Sequence, residues 1–107
     1  MAVRIGANDF DSKVLQSINP VVVEFYSDSC VACKKLSPVL ADAEDRYVGK
    51  VDIYKVNTGY DTDIADRYGV RANPTLIAFK EGEVTGRLVG AVKKEELDGF
   101  MEGLLTR

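Results

Sequence analysis

The sequence predicts an α/β fold in which a mixed sheet of four to five strands is flanked by helices on both faces. Three observations carry this. The elements legible along the 107 residues run β-α-β-α-β-α-β-β-α. Residues 21–27 are nearly all apolar or aromatic, as in a central strand covered on both faces. Parallel strands joined by helices, followed by a terminal hairpin, require a mixed sheet.

Residues 3–5 read as a short first strand, and Asn8 or Asp9 is placed to cap a helix over residues 10–17. Pro20 closes the turn into the apolar strand 21–27. Residues 30–48 form a long helical stretch that Gly49 is suited to stop, with Pro38 inside it as an expected kink. Residues 51–57 read as the next strand, and Asp61 or Thr62 caps a short helix ending near Tyr68-Gly69. Residues 75–80 form a strand, Glu81-Gly82-Glu83 a turn, and residues 84–89 the antiparallel return. Residues 93–105 close the chain as an amphipathic helix whose apolar stripe is Leu97, Phe100, Met101 and Leu104.

The length fits one domain over residues 1–107, and 46% apolar residues suffice for a single small core. The net charge is −3 with no dense Lys/Arg cluster, so no nucleic-acid partner is expected. Apolar runs are only a few residues long, against about 20 for a membrane-spanning helix, so no membrane partner is expected either. Met1-Ala2-Val3-Arg4 leads straight into folded-looking sequence without an apolar leader core, and the expected location is cytoplasmic.

Cys30-Val31-Ala32-Cys33 holds both cysteines of the chain, between the apolar strand and the long helix. Thiols three residues apart at a helix start share one face of its first turn and can form a disulfide. So small a ring restrains the unfolded chain little, which makes the pair a poor staple and a plausible redox centre. In a reducing compartment such a pair reads as catalytic or metal-binding before structural.

Four features at mutually consistent positions resemble the thioredoxin family. They are the strand Val23-Glu24-Phe25-Tyr26, the pair Cys30-Val31-Ala32-Cys33 with Lys34 following, Asn73-Pro74-Thr75 before a strand, and Gly82 and Gly90 in the last hairpin. The resemblance covers essentially the whole chain. It implies a thioredoxin fold and a protein-disulfide oxidoreductase acting as a redox carrier, with no cofactor beyond a redox-active Cys30–Cys33 disulfide and no metal. It also implies protein disulfide substrates, re-reduction by a flavin- or ferredoxin-linked thioredoxin reductase, and a monomer. The chain departs from the family pattern at the redox site. Val31-Ala32 stands for the usual Gly-Pro, Glu24 for Asp, and Tyr26 for Trp.

Cys30, at a helix N-terminus, faces unpaired backbone N–H groups and the positive end of the helix dipole, which favour the attacking thiolate. It is the expected nucleophile, and Cys33, one turn deeper, the resolving thiol. Glu24 is desolvated in its apolar strand, which raises its pKa. The resemblance gives it the role of proton acceptor and donor for Cys33. Lys55, on the neighbouring strand, is the expected charge partner that pulls this pKa back down. The resemblance further implies a cis Asn73-Pro74 bond facing the sulfurs, with the backbone of residues 72–75, Asn73 and Thr75 included, open to an extended substrate. Tyr26, Val31, Ala32 and Ala91 are expected to rim a shallow apolar groove. Ala32, unlike proline, has a backbone N–H, expected to lie near the Cys30 sulfur. Two other readings stay open: a binding or chaperone module with incidental thiols, and a thiolate metal carrier.

Overall fold

Val21–Tyr26 forms the central strand because it satisfies its backbone on both edges and buries its side chains on both faces. The computed structural model describes residues 2–106. Its elements are β1 (Val3–Arg4), α1 (α-helical over Ala7–Phe10 and π-wound over Asp11–Leu15), β2 (Val21–Tyr26), α2 (Val31–Arg46), β3 (Asp52–Asn57), α3 (Thr62–Arg67), β4 (Thr75–Lys80), β5 (Glu83–Val89) and α4 (Lys94–Leu105). The sheet order is β1-β3-β2-β4-β5. β3 runs parallel to β1 and β2, whereas β4 is antiparallel to β2 and to β5. This is the mixed sheet that the element order predicts.

Successive β2 residues point to opposite faces. Val22 packs with Leu36, Leu40, Leu97 and Met101 under α2 and α4. Val21, Val23 and Phe25 pack with Phe10, Val14, Ile64 and Phe79 beneath α1 and α3. There the rings of Phe10, Tyr68 and Phe79 meet pairwise with centroids 5.3 to 5.8 Å apart, joining α1, α3 and β4. Glu24 shares the parity of Val22, so it lies beneath α2.

Helix ends depart most from local expectation. α1 begins at Ala7, which leaves Asn8 and Asp9 inside its first turn rather than at its cap. The Ala7 N–H donates instead to Asp61 Oδ1 at 3.3 Å. Asp61 does sit at the N-cap position of α3, where its backbone carbonyl accepts from Ile64 and Ala65. Its carboxylate makes no bond to α3 because it serves α1. A distant orphan donor thus captures the side chain that local pattern assigns to its own helix. α2 ends at Arg46, short of the expected residue 48, since Tyr47 turns into the core and donates its hydroxyl to Glu102 Oε2 at 2.7 Å. Pro38 is accommodated within the continuous helix.

Gly82 is required by the β4–β5 turn. Its φ is +82°, and a Cβ there would stand 2.8 Å from the Leu15 carbonyl oxygen. Gly49 has nearly the same φ, +80°, with nothing within 4 Å of such a Cβ. Gly49→Ala should therefore cost about 1 kcal/mol, the left-handed penalty alone. Gly82→Ala should cost about 3 kcal/mol, because crowding against backbone adds to it. Urea denaturation at unchanged m-value measures both; equal losses would mean that the Leu15 carbonyl moves aside freely.

Candidate active site

The chain leaves β2 at Tyr26 and enters α2 at Val31, and Cys30 is the N-cap of that helix. Its extended backbone (φ −87°, ψ 111°) turns Sγ back over the first turn, where the Cys33 N–H donates to it at 3.0 Å. The donor on the sulfur is thus Cys33, not Ala32 as expected, because a cap side chain reaches the third helical N–H. Cys30 and Cys33 are joined as a disulfide with Cα atoms 5.2 Å apart. Cys30 is half-buried, whereas Cys33 is only 8% exposed. The expected difference in depth is present.

The Asn73-Pro74 bond is cis. The Asn73 carbonyl oxygen lies 3.4 Å from Cys30 Sγ. Two carbonyls of residues 72–75 are already engaged. The Pro74 carbonyl accepts from Gly90 N–H at 2.9 Å, and Ala72 O accepts from the Thr75 hydroxyl at 2.7 Å. Thr75 itself is 2% exposed and paired with both neighbouring strands, so its side chain faces inward rather than toward a substrate. Ala72 stays on the surface, and Asn73 is half-buried.

The four residues expected at the rim all reach the surface at least in part. Val31 is 66% exposed and Ala91 is also exposed, while Tyr26 and Ala32 are half-buried. The cleft beside the sulfurs, about 210 Å³, is walled by Tyr26 together with Glu24, Asp28, Lys34 and Lys55. Of the four expected rim residues, only Tyr26 lines it. A second cleft of about 240 Å³ shares Glu24, Ser37 and Lys55 with the first and runs past Pro38 and Glu44. A larger cleft of about 590 Å³, between the β4–β5 hairpin and α4, holds neither sulfur nor the buried acid. Among the described residues, no three His, Cys, Asp or Glu side chains gather as a metal cage.

Glu24 is 6% exposed and directly opposite Lys55 in the β2–β3 ladder. Desolvation raises its pKa from 4.5 to about 7, with a further upward push from Glu44 and a downward pull from Lys55. Lys55 is thus the electrostatic partner expected from sequence, but it does not restore an ordinary carboxylate. Its ammonium lies over the Tyr26 ring, 5.0 Å from the centroid.

Several polar residues near the site carry no motif. Buried Asn57 donates from Nδ2 to Asp28 Oδ1 at 3.4 Å and accepts from Gly59 N–H at 2.8 Å. Thr58 Oγ1 accepts from Asn73 Nδ2 at 3.2 Å. The legible signal was an Asn-Thr pair at the end of a strand, a place where short polar side chains bind backbone.

A strand–CxxC–helix unit beside a cis-proline invites comparison with known proteins. The family model described as Thioredoxin matches residues 2–103. The chain belongs to the thioredoxin family. It is 37% identical over 101 residues to thioredoxin 1 of a Nostoc species, covering 94% of each chain. It is 37% identical over 100 residues to a thioredoxin of Allochromatium vinosum, again covering 94% of each. Thioredoxin M4, chloroplastic, of Arabidopsis thaliana is 38% identical over 102 residues; the match covers 95% of this chain and 53% of that longer protein, about half its length. This thioredoxin is a thiol–disulfide oxidoreductase, and its family acts on disulfides of proteins and is served by a reductase.

The raised pKa of Glu24 fixes a pH dependence of stability. The unfolded carboxyl titrates near 4.5 and the folded one near 7, so between these values the folded state holds a proton that the unfolded state releases. Stability from the neutral acid is fully present below 4.5 and is lost as pH rises through 7. The span corresponds to an order of magnitude of about 3 kcal/mol. Glu24→Gln, measured oxidised in a denaturant series across this range, should flatten the dependence and be more stable than wild type at high pH. A mutant that keeps the full slope would place the titrating group elsewhere.

Proposed function

We propose that this thioredoxin reduces protein disulfides by two exchanges, with Cys30 attacking, Cys33 resolving and Glu24 handling the proton of Cys33. The observation that carries the reading is the Cys33 N–H on Cys30 Sγ at a helix N-cap, with Cys33 itself buried. The donor stabilises a thiolate at Cys30, while burial keeps Cys33 a thiol until a base takes its proton. The Cys30 thiolate attacks one substrate sulfur; the substrate S–S bond breaks and the other substrate sulfur leaves as a thiolate, which takes up a proton. Glu24 then accepts the Cys33 proton. The Cys33 thiolate attacks Cys30 Sγ, the mixed disulfide breaks, and the second substrate thiolate leaves. Two electrons pass to the substrate, and the Cys30–Cys33 disulfide forms.

An acid titrating near 7 is matched to such a transfer at neutral pH. Lys55 adds positive charge beside it. The Asn73 carbonyl, held before the cis-proline, borders Cys30 Sγ, and exposed Val31 and Ala91 offer apolar contact to a docked chain. A flavin- or ferredoxin-linked reductase restores the dithiol, and the chain acts as a monomer in a reducing compartment such as the cytoplasm. These assignments rest on the site chemistry together with family membership.

Cys30→Ser should abolish exchange. Cys33→Ser should accumulate mixed disulfides with substrate, visible by mass spectrometry, because the first attack survives and release is lost. Alkylation at limiting reagent should label Cys30 first; prior labelling of Cys33 would reverse the roles. Glu24→Gln should slow release of the mixed disulfide near neutral pH by about tenfold or more. Stopped-flow rates unchanged from wild type would leave Glu24 a purely structural acid.

A further inference from the structure

Thr58 lies outside the cysteine motif, one residue beyond the end of β3. Its backbone N–H and its hydroxyl both donate to the Tyr26 carbonyl oxygen, at 2.8 and 3.2 Å. The hydroxyl oxygen in turn accepts from Asn73 Nδ2 at 3.2 Å. A threonine hydroxyl has one proton and two acceptor sites, so both bonds are compatible, and their direction is set: Asn73 gives, Thr58 passes on, Tyr26 receives. The result ties the segment before β4 to the end of the central strand through a single side chain. The main-chain carbonyl of the same Asn73 is the group 3.4 Å from Cys30 Sγ.

That carbonyl has a chemical consequence once the disulfide is reduced. A carbonyl oxygen only accepts. It can take the S–H proton of a Cys30 thiol, but it turns its negative end toward a Cys30 thiolate. The Cys33 N–H on the other side of the sulfur does the reverse, since it stabilises the thiolate. Cys30 is therefore held between one group that favours the charged form and one that favours the neutral form. The first is fixed by the helix. The second is fixed only by where Asn73 stands.

We infer that Thr58 is a positioning residue of the thioredoxin reaction: by clasping the Asn73 side chain, it holds the Asn73 carbonyl against the Cys30 sulfur and so restrains the acidity of the attacking thiol. This rests on the reading of Cys30 as the nucleophile. The charged groups around that sulfur are Glu24 from β2, Asp28 from the following loop, Lys34 from α2 and Lys55 from β3, all lining the same cleft. The segments carrying Asn73 and Ala91 add exposed Arg71 and Lys93. Thr58 is uncharged, and Asp28 is held by Asn57 rather than by Thr58. Replacing Thr58 thus removes the clasp while every charge stays in the chain.

The test uses reduced Cys33→Ser protein, in which Cys30 is the lone thiol and residue 33 keeps its N–H. Thiolate absorbance across pH then reports Cys30 alone. Thr58→Val, of nearly the same shape, should move the titration to lower pH and raise the acid dissociation constant of Cys30 about threefold, the scale of one neutral hydrogen bond. Thr58→Ser should titrate like the parent, because it keeps the hydroxyl. Asn73→Leu removes the donor from the other side and should match Thr58→Val, and combining the two should add nothing. A Thr58→Val titration at the parent's pH or above, a Thr58→Ser variant that shifts as Val does, or additive shifts in the double variant would each overturn the clasp. Should Thr58→Val fail to fold, the Thr58→Ser and Asn73→Leu titrations decide the matter alone. Failure of the Cys33→Ser parent to trap a substrate would instead count against Cys30 as nucleophile, and the titration would still report on the clasp.

Discussion

β2 is covered by α2 and α4 on one face and by α1 and α3 on the other, and this double burial dictates much of what surrounds it. A strand with no solvent on either face must pair both edges, because an unpaired buried N–H or C=O costs as much as a lost hydrogen bond. β3 and β4 supply those pairings. The same enclosure desolvates the one carboxylate the strand carries and lifts its pKa to about 7. Where β2 runs out of cover, the chain turns once and starts α2 at Cys30. Fold, acid and sulfur thus follow from one strand.

Much of this was legible in the sequence because it is written locally. The apolar run of β2, the cysteine spacing at a helix start and the alternation of strand and helix each occupy contiguous residues. Glu24 stood out as a carboxylate in an apolar strand, and Lys55 as a cation on the strand beside it. What local pattern could not supply was the choice among distant partners. The Asp61 carboxylate serves α1 instead of its own helix, and the Lys55 ammonium sits over Tyr26 as well as facing Glu24. Thr58 reads as an ordinary residue after a strand until Asn73 is brought to it from 15 residues away. The polar walls of the sulfur cleft were hidden for the same reason, since β2, α2 and β3 each contribute to them.

The helix that carries the thiols is anchored at its far end. Arg46 bonds both Asp42 within α2 and Asp98 on α4, while Lys94 holds the other oxygen of Asp98 at 2.8 Å. Exposed ion pairs contribute little singly. Here they accompany the buried contacts of Leu36, Leu40, Leu97 and Met101 and the Tyr47–Glu102 bond, so α2 is held against α4 on several sides at once. A sulfur at the opposite end of that helix inherits its position from packing as far as about four turns away.

The two clefts that meet at Glu24 give the buried acid a front door and a back door. A substrate docked on Cys30 in the proposed reaction would lie over the cleft that this sulfur lines. The cleft past Pro38 and Glu44 lies on the flank of α2, away from that footprint. A proton reaching the carboxylate during an exchange need not leave by the route the substrate has blocked. In the proposed reaction the acid would thus keep an opening on the α2 flank while the sulfur face is occupied.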